Sequence, residues 1–168
     1  MADFSVVNEV LGMLLSTKPG STLPEDAPEG YAWVMEPIPN KVFMEAAAIA
    51  ARTSGAFIPD AGTIFEAALG LLDTELPADE AWALVLKHAQ SASLGANNPV
   101  KLPERTARAL ELIGGDVGWS LDEIPFRRKE FIEAYGGLAK RWRDGVALGQ
   151  LPAGDDRRRL TEVTNGRV

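Results

Sequence analysis

The side chains that most often carry chemistry are sparse in this sequence. His88 is the only histidine, and there is no cysteine. A histidine-based zinc site needs further nitrogen or sulfur ligands, and a serine or cysteine nucleophile needs a positioned base. A lone imidazole beside Lys87 supplies neither, so His88 reads as a surface or helix-end residue. The lack of cysteine also removes disulfides, thiolate nucleophiles and cysteine-ligated clusters, and it fits a reducing compartment. The carboxylate pairs Asp79/Glu80 and Glu130/Glu133 are of a type suited to acid–base work or a divalent ion. Each pair falls on polar positions of an amphipathic helix pattern, where outward-facing charge is the default. Gly114-Gly115-Asp116-Val117-Gly118 is glycine-rich but follows a helix and lacks the lysine of a phosphate loop. It reads as a helix stop. The residues therefore predict no catalytic centre, no metal site and no cofactor: a non-enzymatic protein.

The basic residues are the stronger candidates. Arg127, Arg128 and Lys129 open the last long helix, Lys140, Arg141 and Arg143 close it, and Arg157, Arg158 and Arg159 lie beyond. Phe126, Phe131, Tyr135 and Trp142 are interleaved with them. We take these nine cations as candidate partner-binding residues. A nucleic-acid interface usually comes with a basic domain, whereas the sequence pI is about 4.8. A helix-turn-helix also needs a short turn, and the helices read at 77–91 and 103–113 are separated by a long loop. Two other readings stay open: core aromatics with solvated basic flanks, and a docking face for an acidic protein. Weak nucleic-acid contact remains among the expected partners.

Helical periodicity supplies the elements that would hold these residues. Phe4, Val7, Leu11 and Leu14/Leu15 recur at helical spacing over 4–16, and Lys18-Pro19-Gly20 ends that run. Residues 17–30 read as a loop, followed by a short helical turn at Tyr31–Met35 that Pro37 and Pro39 stop. Asn40 is the expected N-cap of an alanine-rich helix over 41–53 with Val42, Ala46 and Ile49 inward. Ile58-Pro59-Asp60 sets up the next cap, for 61–72, with Ile64, Phe65, Ala68, Leu71 and Leu72 inward. Trp82, Val85, Leu86 and Ala89 mark another helix, and Ser91–Lys101 reads as a polar loop. A helix over 103–113 carries Leu102, Thr106, Leu110 and Ile113 and ends at Gly114-Gly115. The last helix, about 125–143, carries the stripe Phe131, Tyr135, Leu138, Trp142. Gly136-Gly137 inside it predicts either a break or close approach of a neighbour, because glycine there costs about 1 kcal/mol relative to alanine. No strand-like alternation and no internal repeat are visible. The expectation is an all-α, compact orthogonal domain of about six helices with a weakly ordered C-terminal tail. By segment, residues 1–30 form a helix and loop, 31–143 a helical core with lobes at about 31–73 and 76–143, and 144–168 a polar, arginine-containing tail.

Composition bounds these readings. The 168 residues, 46% hydrophobic and 24% charged, are enough for a buried core. Residues 1–100 hold 4 Lys/Arg against 13 Asp/Glu, while residues 101–168 hold 13 against 11. That asymmetry suggests either two surfaces with different partners or simple solubility. No apolar run approaches the roughly 20 residues that span a bilayer, and no basic segment precedes an apolar one at the N-terminus. A soluble, cytoplasmic protein is expected.

Taken in order, the landmarks form a series. Trp33 leads through Pro37-Ile38-Pro39-Asn40 into the alanine-rich helix, which ends at Phe57-Ile58-Pro59 before Ile64-Phe65. Then come Leu76-Pro77-Ala78-Asp79-Glu80-Ala81-Trp82, Leu102-Pro103, Ala109-Leu110 and Ile113-Gly114-Gly115. Trp119 and Arg128-Lys129-Glu130-Phe131-Ile132-Glu133-Ala134-Tyr135 close it. Over about residues 31–143 this order resembles bacteriophage replication proteins of the replicative-helicase loader/inhibitor and replisome-organiser type. The resemblance implies an ATPase-free adaptor that binds a hexameric replicative helicase and loads or inhibits it, with the basic helix and tail as contact elements. A small helical structural or DNA-packaging component of a phage, and a DNA-binding regulator, are the alternatives.

Overall fold

In the computed structural model, residues 3–94, 100–115 and 118–149 are described, and every regular element among them is helical. The chain divides into two compact units, one of Met1–Thr74 together with the chain from Gly145, the other Glu75–Asp144. Residues 1–30, set apart in the sequence reading, belong with the first unit.

In the first unit, α1 (Phe4–Thr17) starts where Asp3 accepts the Ser5 N–H at 2.9 Å. It buries Val7, Val10, Leu11 and Leu14, while Phe4 and Leu15, expected inward, are each 40% exposed. Val10 extends the Val7–Leu14 stripe, which shifts the inward arc away from Leu15. The expected loop at 17–30 is shorter than read, because α2 (Ala27–Val34) begins before Tyr31. Pro28 sits in its first turn, where the missing N–H would have no partner anyway. Helix α3 (Asn40–Thr53) begins one residue earlier than expected. Pro39 takes the N-cap position, so Asn40 is the first helical residue and caps nothing with its side chain. Its inward face is Val42, Phe43, Ala46, Ala47, Ala50 and Ala51, and Ile49 is 37% exposed. The small alanines let α3 pack closely on α4 (Ala61–Leu72). Helix α4 is capped as expected: Asp60 accepts the Thr63 N–H at 2.8 Å. It buries Ile64, Ala68, Leu69 and Leu72, leaving Phe65 and Leu71 half-buried. Helix α1 packs on α2 and α3, and α2 on α4.

The second unit holds α5 (Ala78–Ser93), α6 (Glu104–Leu112) and most of α7 (Ile124–Ala147). Its core is Ala81, Trp82, Val85, Ala109, Leu110, Phe131 and Tyr135, with Leu76, Trp119 and Leu138 packed around it. Trp82 stacks on Trp119 with ring centroids 5.7 Å apart and lies 5.4 Å from Phe131. The Tyr135 hydroxyl donates to the Leu76 carbonyl at 2.5 Å, so its polar tip is satisfied beside an apolar ring. Helix α6 ends as expected, with Gly114 at φ 92° and Gly115 at φ 80°. The Gly115 N–H reaches the Leu110 carbonyl at 2.9 Å, a closure that needs the left-handed backbone.

Three further expectations are corrected. Helix α5 runs to Ser93, into the expected loop at Ser91–Lys101, of which residues 95–99 lie outside the described residues. Helix α7 passes Gly136-Gly137 without a break, and a Cβ at either glycine would meet nothing within 4 Å. Both explanations offered for that pair therefore fail. The boundary expected at Gly145 lies slightly further on, since α7 continues to Ala147 with Val146 buried. Residues 150–168 lie outside the described residues.

Candidate functional site

The nine candidate cations separate according to their place on the α7 wheel. Arg127 precedes Phe131 by one helical turn and Arg128 precedes Tyr135 by two, so both stay beside the buried stripe. Arg127 accordingly donates to Glu130 at 3.0 Å and to the Ile113 carbonyl at 3.3 Å, which ties α7 to the end of α6. Arg128 donates to Asp79 at 2.6 Å, across to the first turn of α5. These two are fold contacts before they are partner contacts. Lys129 and Lys140 fall on the opposite side of the helix and are exposed, as are Arg141 and Arg143 on its two flanks. Arg157, Arg158 and Arg159 lie outside the described residues.

The same geometry reassigns the carboxylates. Asp79 and Glu130, one from each pair considered above, are partners of Arg128 and Arg127. Glu123 precedes α7 and accepts from the Ser120 N–H and hydroxyl at 2.8 and 2.9 Å. Those bonds, led by the backbone N–H, hold its carboxyl below the usual range. Among the described residues no three acidic or histidine side chains are grouped to hold a metal ion. His88 is half-buried and its Nδ1 donates to the Val100 carbonyl at 2.5 Å, so it fastens the chain after α5. Of the other cations, Arg105 lies over the Tyr135 and Trp142 rings at 5.6 and 5.7 Å. It half-covers the lower part of the aromatic stripe, a position the α6 periodicity alone left unassigned.

A feature of a different kind lies in the first unit. A groove of about 810 Å³ runs between the loop after α1, one side of α2 and residues 56–61. Trp33 and Phe57 stand on it at 78% and 79% exposure, and Leu23 and Ile58, both half-buried, also line it. The Tyr31 hydroxyl donates to the Pro59 carbonyl at 2.6 Å, which fixes one wall to the other, and the Ser54 hydroxyl donates to the Phe57 carbonyl at 3.0 Å within the turn after α3. Burial, and then the Asp60 charge, push the Tyr31 phenol above its usual range, so it stays a donor. Asp60 lines the groove with its carboxyl held low, chiefly by the Thr63 N–H. A second groove, of about 760 Å³, shares Trp33 and Val34 and continues past Phe65 to Leu148. Trp33 and Phe57 served as landmarks in the sequence, not as site residues. The signal available was Trp33 standing off the α2 stripe of Ala27 and Tyr31.

Comparison with family descriptions, curated proteins and solved structures gives no match to this chain.

Proposed function

We propose that this chain is a phage or prophage DNA-replication adaptor that binds a hexameric replicative helicase and loads or inhibits it. The observation that carries the reading is the division of labour on α7. Phe131 and Tyr135 of its aromatic stripe are buried, while Lys129 and Lys140 lie exposed on the face turned away from that stripe. A helix anchored by its core side and charged on the other presents cations at a fixed spacing, which favours electrostatic docking of a protein surface. Lys129 and Lys140 are eleven residues apart, about three turns, so they repeat on one line roughly 16 Å apart. The resemblance carried by the order of landmarks from Trp33 to Tyr135 supports the helicase as the partner. Glu133 on the same face, and a pI of about 4.8, weigh against duplex DNA as the main ligand.

Light-scattering size exclusion of the protein alone, and mixed with a bacterial hexameric replicative helicase, tests the reading. A co-eluting complex of defined stoichiometry is expected, and it is lost in the variant Lys129→Glu/Lys140→Glu/Arg143→Glu. Absence of any complex, with the protein alone forming a large closed assembly, favours the structural phage component instead. DNA binding that weakens steeply with salt, again without helicase binding, favours the regulator.

A further inference from the structure

This inference rests on the functional reading in one respect, that the protein acts by binding another protein, and it names the chemistry of what is bound. We propose that the groove of the first unit, between α2 and residues 56–61, captures a partner segment that presents an apolar anchor flanked by lysine or arginine.

The apolar half of the recognition comes from the rings. Trp33 and Phe57 are 78% and 79% exposed, both on one groove, whereas large aromatics of a folded chain are usually mostly covered. Paired exposed aromatics around a concavity of about 810 Å³ are the arrangement in which a single inserted side chain contributes most of a binding energy. The groove is preformed. Tyr31 to Pro59 ties α2 to the facing wall and Ser54 to Phe57 closes the turn that carries the Phe57 ring, so little ordering remains to be done on binding.

The charged half comes from the walls. Asp26 and Asp60 line the groove, and Glu25 and Glu29 are exposed on either side of Asp26. Asp26 stands at the start of α2 without making a side-chain cap bond, which leaves its carboxylate for a ligand. Lys18, the nearest basic residue in sequence, spends its ammonium on the Gly55 carbonyl. Residues 1–74 hold 3 Lys/Arg against 10 Asp/Glu, so no long-range field offsets the local one. A segment bearing Lys or Arg beside its anchor pairs with these carboxylates and stacks a cation on the Trp33 face. An acidic segment of the same shape meets repulsion.

The test uses the isotope-labelled full-length chain in nuclear magnetic resonance titrations with three synthetic probes. These are an amphipathic leucine–lysine peptide, its leucine–glutamate counterpart, and a lysine-only peptide. The leucine–lysine peptide is expected to shift the Trp33 indole and Phe57 amide signals, the lysine-only peptide to do so far more weakly, and the leucine–glutamate peptide not at all. Asp26→Asn with Glu29→Gln, which keeps shape and removes charge, is expected to weaken capture several-fold, up to about tenfold. Phe57→Ser, at an exposed loop position, is expected to abolish the Trp33 shift. Shifts confined to α7, or equal shifts with the glutamate peptide, overturn the proposal. So does a chain truncated after Gly149 whose Trp33 and Phe57 signals move without any peptide, since its own C-terminal segment would then be the occupant. Helicase co-elution is read separately: peptide capture without it rejects the helicase and keeps the groove, and the converse rejects the groove alone.

Discussion

Asp60 serves two structures with one carboxylate. One oxygen accepts the Thr63 N–H at 2.8 Å and ends the unsatisfied first turn of α4, and the same residue lines the aromatic groove. Its depressed folded pKa sets the sign of a pH effect: the unfolded chain binds the proton more readily than the native one. The stabilisation is therefore fully present above the ordinary carboxylate value of roughly 3.9 and is lost as pH falls below it through the folded value. Asp60→Ala is expected to cost about 1 kcal/mol at neutral pH, measured by urea unfolding, with the difference from wild type shrinking under acid. A difference that persists unchanged in acid would show that the loss comes from packing and not from the charged cap. Glu123 before α7 follows the same sign.

Helix α7 raises the corresponding question for a whole element. Two adjacent glycines in a 24-residue helix increase backbone freedom in the unfolded chain, and no neighbour explains their presence. Both are exposed and both have open space where a Cβ would go. Gly136→Ala and Gly137→Ala are thus expected to stabilise the protein, by about 0.5–1 kcal/mol each, in thermal or chemical unfolding. If stability rises and helicase co-elution is unchanged, the pair has no hinge function. If co-elution falls as stability rises, bending at this point is part of binding, because the substitutions add no clash of their own.

For the whole molecule, the division into two units makes a prediction about autonomy. The unit Glu75–Asp144 has its own apolar cluster, built on Trp82 and Phe131 and joined by the Tyr135 and Arg127 hydrogen bonds. It carries 10 Lys/Arg against 11 Asp/Glu, far closer to balance than residues 1–74. Expressed alone, residues 75–144 are expected to unfold cooperatively and to show a near-ultraviolet circular dichroism signal from the stacked Trp82 and Trp119. At about 70 residues such a core is small, so its midpoint should lie below that of the full chain. A fragment without that signal would show that its core is completed by residues outside 75–144.

The helices were largely legible in the residues themselves. Helical periodicity, Asp60 as a cap and Gly114-Gly115 as a stop are local properties, decided within one or two turns by backbone hydrogen bonding and φ. Where local signals competed, the result was less certain: Pro39 displaced Asn40 from the cap because its fixed φ suits that position without a side-chain bond. Periodicity alone also could not choose between Leu15 and Val10, or between Ile49 and Phe43, since adjacent apolar residues widen the stripe and only the neighbouring helix selects its centre. The site was less legible still. The sequence alone marked the basic run of α7, but tertiary structure committed Arg127 to Ile113 and Arg128 to Asp79, 49 residues away, and left Lys129 and Lys140 exposed. It likewise brought Trp33 and Phe57 onto one groove. Such pairings depend on where separate helices meet, and no spacing along the chain encodes that distance.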